Sequence, residues 1–247
     1  MKTLSRNFLT ACAVFVTPQM VSAGDRIAVR AVLFPSGGPA EEFVVAPDGK
    51  GPLVPVAVPA TGFSEETELP RAGTWRLGHR PDPAAKVDEI AIVEPPAGDK
   101  AWLVLLRDAG TDPADVSPPD DESTDGESED GAEGASYQVR VIDADVRSFG
   151  GGSVLVVNFA KVPIEIETGG KTTAIAPDGE TVIAFGEEEG ANQPVKFLFI
   201  HNDRKRPFVA TNWSVRDNRR RLAVVLPTGE GAPPKVVTLD DLLGRDD

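Results

Sequence analysis

Residue types that most often carry out catalysis are scarce in this chain. Its 247 residues contain two histidines, His79 and His201, and one cysteine, Cys12. Nucleophilic hydrolysis usually needs a histidine base beside the attacking hydroxyl or thiol. Both histidines end apparent strands, where polar residues commonly meet solvent, and no Gly-x-Ser-x-Gly elbow is present. The sequence therefore predicts no catalytic residue, with a hydrolase as the alternative.

Metal-binding patterns are equally weak. Asp121 to Gly126 has the spacing that opens an EF-hand loop, but the twelfth position is Ala132, where a bidentate Glu is needed. One cysteine cannot build a Cys₄ or Cys₂His₂ zinc site. We expect no metal site and no cofactor. Weak condensation of cations on the acidic residues around this loop is the alternative.

A cationic tract is the clearest binding feature. Seven Lys or Arg residues lie between His201 and Arg221, against Asp203 and Asp217. Two turns at opposite ends of one strand, about 20 to 27 Å apart, would carry these charges. The alternative is that they are solvated and guard an edge strand against aggregation. The predicted contacts for an anionic ligand are Arg204, Lys205, Arg206, Arg219, Arg220 and Arg221.

Three tryptophans offer another kind of surface, because a flat ring stacks on the face of a pyranose. Trp75 and Trp102 lie within apolar strand patterns and are predicted to be core residues. Trp213, between Asn212 and Ser214, is a candidate stacking residue. A carbohydrate-binding module is therefore the second function that the sequence suggests.

The first 23 residues predict export. Lys2 and Arg6 precede an apolar run from Phe8 to Val16, and a short polar segment ends at Ala23, which is the pattern of a cleaved secretory signal peptide. The alternative is a lipoprotein, lipidated at Cys12. We expect cleavage after Ala23, no transmembrane segment in the processed chain, and a periplasmic or extracellular location.

Net charge is concentrated in one segment. The chain has a formal charge of −14, and residues 111–134 contain ten acidic residues without Lys or Arg. Such a segment cannot bury enough apolar surface to order itself, so it is predicted to be a disordered linker. The rest has an ordinary surface charge, which argues against nucleic-acid binding. The predicted partner is an anionic or polysaccharide component of the cell envelope, or another envelope protein.

The linker divides the chain into residues 24–110 and residues 135–247. Both blocks consist of short β-branched runs separated by Gly and Pro, without helical periodicity. We therefore predict an all-β fold of two tandem antiparallel β-sandwich (Ig-like) domains. Fifteen strands are expected, six before the linker and nine after it. Pro-Asp-Gly turns near residues 47 and 177 are predicted to have the glycine at positive φ.

A loose internal repeat accompanies this division. Residues 27–32 are similar to residues 137–142, the Pro-Asp-Gly turn recurs, and residues 102–106 are similar to residues 222–226. The second block, from Val139 through Arg206-Pro207-Phe208 and Trp213 to residues 222–227, also resembles a set of exported two-domain β proteins from environmental bacteria whose activity is unknown. The resemblance implies a fold and a compartment and assigns no functional residue. The function predicted is a non-catalytic, secreted or envelope-associated binding or structural protein.

Overall fold

The computed structural model describes residues 26–36, 38–48, 52–71, 73–80, 87–108, 136–185, 190–202, 204–229 and 231–243. The predicted signal peptide, the acidic segment 111–134 and its EF-hand-like loop lie outside these ranges. The described residues form sixteen strands and no helix, which confirms the all-β prediction. No described segment is thus a helix that could cross a membrane.

All fifteen predicted strands overlap an observed one, and the short strand β4, which ends in a proline, was missed. The strands are β1 Arg26–Phe34, β2 Glu41–Pro47, β3 Val54–Val58, β4 Thr67–Pro70, β5 Trp75–His79, β6 Asp88–Val93, β7 Lys100–Arg107, β8 Tyr137–Asp143, β9 Ser153–Asn158, β10 Ile164–Thr168, β11 Lys171–Ile175, β12 Glu180–Ala184, β13 Asn192–His201, β14 Arg204–Ser214, β15 Arg219–Leu226 and β16 Lys235–Leu242.

These strands form four sheets of four strands. Sheet A has the order β4-β1-β7-β8, sheet B β3-β2-β5-β6, sheet C β12-β9-β15-β16, and sheet D β11-β10-β13-β14. One apolar cluster joins sheets A and B, a second joins A and C, and a third joins C and D. The sheets therefore pack in the order B-A-C-D, and A and C are buried on both faces.

Sequence explains why the two inner sheets lie inside. In β7, Leu103 and Leu105 face sheet B, whereas Trp102 and Val104 face sheet C. In β15, Leu222 and Val224 face sheet A, whereas Ala223 and Val225 face sheet D. Strands that are buried on both faces read as continuous apolar runs, and both of these do. The outer sheets B and D instead alternate apolar and polar residues.

The second half of the fold repeats the topology of the first. Adding eight to every strand number of sheets A and B gives the strand orders of sheets C and D. The parallel pairing of β1 with β7 recurs as the parallel pairing of β9 with β15. The predicted repeat between residues 102–106 and 222–226 therefore matches equivalent strands. The match of residues 27–32 to 137–142 is wrong, because β1 corresponds to β9 and β8 corresponds to β16.

Two features of the predicted architecture need correction. The sandwiches are not purely antiparallel, since each contains one parallel pair. The predicted boundary at residue 135 also differs from the pairing, because the strands before and after the acidic segment are neighbours in sheet A, with Arg107 opposite Tyr137. The acidic segment is an insertion in the β7–β8 connection, and β8 belongs to the first sandwich although it follows the predicted boundary at residue 135.

Both Pro-Asp-Gly turns connect strands, but the residue at positive φ is the aspartate. Asp48 has φ 51° and Asp178 has φ 57°. Asp is one of the few residues with a side chain that adopts this conformation at low cost. The prediction that glycine holds the positive φ is therefore wrong at Gly179, and Gly49 lies outside the described residues.

Candidate functional site

The predicted cationic tract separates into two parts in different sheets. Arg219, Arg220 and Arg221 lie at the start of β15 in sheet C, where the β15–β16 register places Arg220 opposite Asp241 and Arg221 opposite Asp240. Arg219 and Arg221 share the Asp240 carboxylate, and Arg221 Nε lies 2.7 Å from Asp240 Oδ1. Arg220 is only 3 % exposed, so its predicted contact with an anionic ligand is corrected to a core position. That Arg219 and Arg221 contact such a ligand stays a prediction, although both already form an ion pair within the fold.

Arg220 forms part of a buried contact between two sheets. Its Nε lies 2.8 Å from Asp241 Oδ2, and Asp241 also pairs with Arg30 of sheet A. The Arg220 guanidinium donates to the backbone carbonyl of Phe149 at 3.0 Å and lies 4.7 Å from the centre of the Trp102 ring. Arg30, Arg220 and Asp241 are called the Asp241 cluster below. It connects sheets A and C across the buried face between them.

Arg204, Lys205 and Arg206 begin β14 and are all exposed. Lys205 Nζ lies 2.7 Å from Glu165 Oε2. Strand alternation places Arg204 and Arg206 on the opposite face from Lys205, and neither has an ion-pair partner among the described residues. Of the six predicted anion contacts, these two arginines are the ones that the described part of the fold leaves available.

Trp213 lies inside the second sandwich. Its side chain packs edge-on against Phe185 and Phe197, and the Arg221 guanidinium lies 5.4 Å from its ring centre. The residue is only 5 % exposed, so the ring offers no free face to a sugar. The predicted stacking role is therefore corrected to a core role, because an apolar ring at this inward position of β14 faces sheet C. Trp75 and Trp102 are core residues, as predicted.

The two histidines lie in separate surroundings. His79 Nε2 is 3.3 Å from Glu41 Oε2, an oxygen that also accepts a hydrogen bond from the Tyr137 hydroxyl at 2.8 Å. Burial lowers the pKa of His79, and the nearby charge of Asp88 opposes this effect. His201 lies against the Phe199 ring. In the described part of the chain neither histidine is hydrogen-bonded to a serine, threonine or cysteine.

The described residues also contain no group of three or more His, Cys, Asp or Glu side chains placed to hold a metal ion. The carboxylates of Asp143 and Asp145 form hydrogen bonds within the fold. Arg147 makes hydrogen bonds to Asp145 that hold the pKa of this carboxyl well below its usual range. Ser148 donates to Asp143 at 3.0 Å. These hydrogen bonds indicate a structural role for Asp143 and Asp145.

A broad, open depression of about 610 Å³ lies on the outer face of sheet D. The strand registers place Thr172, Glu167, Lys196 and Ala210 in one row across all four strands. Glu167 and Lys196 form an ion pair at 3.4 Å across the middle of this row. The depression therefore offers hydrogen-bond donors and acceptors on a rigid sheet.

Small residues create this depression. Ala210 is the only methyl-sized side chain in the outward row Thr172-Glu167-Lys196-Ala210, and the β10–β11 hairpin closes through Gly169 and Gly170, both at positive φ. A two-residue turn with both φ positive fits the twist of a hairpin and favours glycine. Asn212 and Pro194 complete the floor at the end of the sheet where this hairpin lies.

Thr168 ends β10 and borders both this depression and a smaller one, of about 280 Å³, between the edges of sheets C and D. It lies opposite the buried Val195 of β13, so its side chain faces sheet C. The Thr168 hydroxyl is therefore not part of the outward row that contains Glu167 and Lys196.

Sequence reasoning missed this surface. The alternation Ile164-Glu165-Ile166-Glu167 predicted a strand with one wet face, and Gly169-Gly170 marks a tight hairpin. Neither signal shows that Lys196 and Ala210 lie beside Glu167, because that neighbourhood is set by pairing between strands that are distant in sequence.

Comparison with models of known protein families gives no match for this chain. Comparison with curated proteins likewise gives no match.

Proposed function

We propose that this protein is a non-catalytic binding protein that holds a segment of polysaccharide in the depression on the outer face of sheet D. The observation that carries the proposal is a row of outward residues across four strands, of which Thr172, Glu167 and Lys196 are polar and Ala210 is small, in a depression of about 610 Å³. Sheets A and C are buried on both faces, so sheet B and sheet D supply the outer faces of the stack. The depression lies on the outer face of sheet D.

Hydrogen bonding rather than ring stacking would recognise the ligand. No aromatic side chain lines the described depression, whereas Thr172, Asn212, Glu167 and Lys196 supply both donors and acceptors. Sugar hydroxyl groups are donors and acceptors too, so they can satisfy both members of the Glu167–Lys196 pair. Lys171 at the rim adds a second positive charge, which favours carboxylated sugars over neutral ones.

The finer assignments belong to the same proposal. We propose that each eight-stranded half is an Ig-like domain, that the protein is exported, and that it acts at the cell envelope on a polysaccharide or on another envelope component. The resemblance to exported two-domain β proteins stays a prediction. The two halves share one topology, and the second half carries the depression. We therefore propose that the second sandwich binds the ligand and that the first sandwich positions it.

Binding to alginate, a carboxylated polysaccharide, and to dextran, a neutral one, tests the proposal. The variant Ala210→Phe should block the depression without changing charge, and its matched control is Ala57→Phe on β3 of sheet B, also an exposed alanine. We expect alginate to bind more tightly than dextran and Ala210→Phe to weaken binding at least about tenfold, since the filled space removes several hydrogen bonds. Equal binding by both variants would contradict the assignment.

A second pair of variants separates contact from shape. Lys196→Ala should weaken alginate binding, whereas Lys161→Ala, an exposed lysine outside the depression that pairs with Asp178, should not. Release of new reducing ends during incubation would show hydrolysis and would replace the binding proposal by an enzymatic one.

A further inference from the structure

β14 is an edge strand with an open side. It is the last strand of sheet D, and among the described residues only β13 pairs with it. Its eleven residues span about 33 Å of extended chain. The open side of an edge strand presents backbone N–H and C=O groups that another extended chain can satisfy.

The strand has two parts with different character. A register shift between Phe197 and Leu198 of β13 marks a bulge in the β13–β14 pairing. Before the bulge, β14 carries Arg204, Lys205, Arg206 and Pro207, which are residues that hinder strand addition. After it, the six residues Val209–Ser214 are uncharged and contain no proline. Strand addition is therefore disfavoured along the first part and possible along the second, at whose end the Ser214 carbonyl already accepts a hydrogen bond from Arg219 at 3.2 Å.

Positive charge lies beyond both ends of this uncharged part. Arg204 and Arg206 precede it, and the exposed Arg216 follows it. Within the described ranges none of the three has an ion-pair partner, in contrast to Arg219 and Arg221, which pair with Asp240. We propose that β14 binds an extended acidic peptide of a partner protein, which adds to sheet D along Val209–Ser214 and places acidic residues against the arginines at both ends.

A second copy of this chain fits less well. If two β14 strands paired antiparallel along Val209–Ser214, the cationic start of each copy, Arg204 to Arg206, would lie beside the Arg216 end of the other. Like charges would then approach each other at both ends, with only Asp217 between them. An acidic peptide meets opposite charge at the same places. This site shares Ala210 and Asn212 of β14 with the border of the depression, but it uses the backbone of the strand edge and the arginines, whereas the depression uses outward side chains. The peptide and the polysaccharide are tested with different variants, so either proposal can fail without the other.

The test uses a synthetic peptide with a central Val-Thr repeat and a short run of glutamates on each side. Two controls carry lysines in place of the glutamates, or prolines in place of two central residues. Binding to the full chain is measured by fluorescence anisotropy at low salt. We expect the glutamate peptide to bind and both controls to bind at least about tenfold more weakly. Hydrogen exchange should slow at alternate amides of Val209–Ser214.

Protein variants locate the contact. Arg204→Glu combined with Arg206→Glu should weaken binding of the glutamate peptide about tenfold. The control pair is Arg26→Glu with Lys235→Glu, two exposed cations at strand starts elsewhere in the fold. Equal effects of both pairs would overturn the proposal. So would equal binding of the proline-containing peptide, or slowed exchange outside β14, because either result indicates a general polyanion surface instead of strand addition.

Discussion

Asp241 connects the two sandwiches, and replacing it by asparagine gives a prediction whose size follows from burial. The residue is 4 % exposed and Arg220 is 3 % exposed. The carboxylate pairs with Arg220 and with Arg30 of sheet A. Asparagine keeps the shape but leaves the Arg220 charge buried without its counter-ion. Removing one partner of a buried ion pair costs about 3 to 5 kcal/mol.

The backbone carbonyls of Ala144 and Phe149 still accept hydrogen bonds from Arg220 in this variant. We therefore expect a loss near the lower limit, about 3 kcal/mol of unfolding free energy. The neighbouring substitution Asp240→Asn is the matched control. The Asp240 side chain is 38 % exposed and pairs with partly exposed arginines, so its loss should cost about 0 to 1 kcal/mol.

Urea unfolding followed by tryptophan fluorescence measures both variants. Trp102 lies against Arg220 and reports on the contact between sheets A and C. If Asp241→Asn destabilises the protein no more than Asp240→Asn does, the Asp241 cluster is not buried as described. A further variant, Arg220→Met with Asp241→Leu, should recover most of the loss, because apolar pairs often replace buried ion pairs at little cost.

Three more predictions address the fold. Burial lowers the pKa of His79 below 6.5, so the unfolded chain binds more protons than the folded one in the pH window below that value, and the unfolding free energy should fall as the pH drops through this window. The variant His79→Gln should remove part of this pH dependence, measured as the urea midpoint at several pH values. An unchanged dependence would contradict the prediction. Gly151→Ala should cost about 1 to 3 kcal/mol in the same assay, because a Cβ there would overlap the backbone of Asp217, whereas Gly229→Ala meets no atom and should be neutral. Cutting within residues 111–134 with an acid-specific protease should leave two fragments that co-elute in native gel filtration, since β7 and β8 remain paired; separation of the fragments would restore the segment as an interdomain linker.

Local sequence predicted the elements of this fold well. The β-branched runs marked fifteen of the sixteen strands, and the apolar alternation around Trp75 and Trp102 correctly indicated core positions. β4 was missed because its four residues, two of them Glu68 and Pro70, are too few to show a pattern.

Strand pairing was harder to predict. The alternation in Tyr137–Asp143 suits any half-buried strand, and the insertion before it removes the short turn that would identify a hairpin with β7. The boundary at residue 135 followed composition, whereas the sheets follow pairing between distant residues.

Functional residues depended on the same long-range pairing. Arg219, Arg220 and Arg221 are unpaired in the local sequence, and only the contact between β15 and β16 shows that they form ion pairs with Asp240 and Asp241. Trp213 read as a strand-end residue, although β14 continues past it and turns its ring inward. The depression is lined by residues on four strands, β10, β11, β13 and β14, which no local window of sequence contains.

Lysine acetylation in the presence and absence of alginate tests the central claim directly, because it maps the ligand on one molecule in a single measurement. Lys171 and Lys196 line the depression on sheet D, whereas Lys100 and Lys235 are exposed elsewhere. The account predicts that bound alginate slows acetylation of Lys171 and Lys196 and leaves Lys100 and Lys235 unchanged. Protection of Lys100 or Lys235 without protection of Lys196 would contradict it.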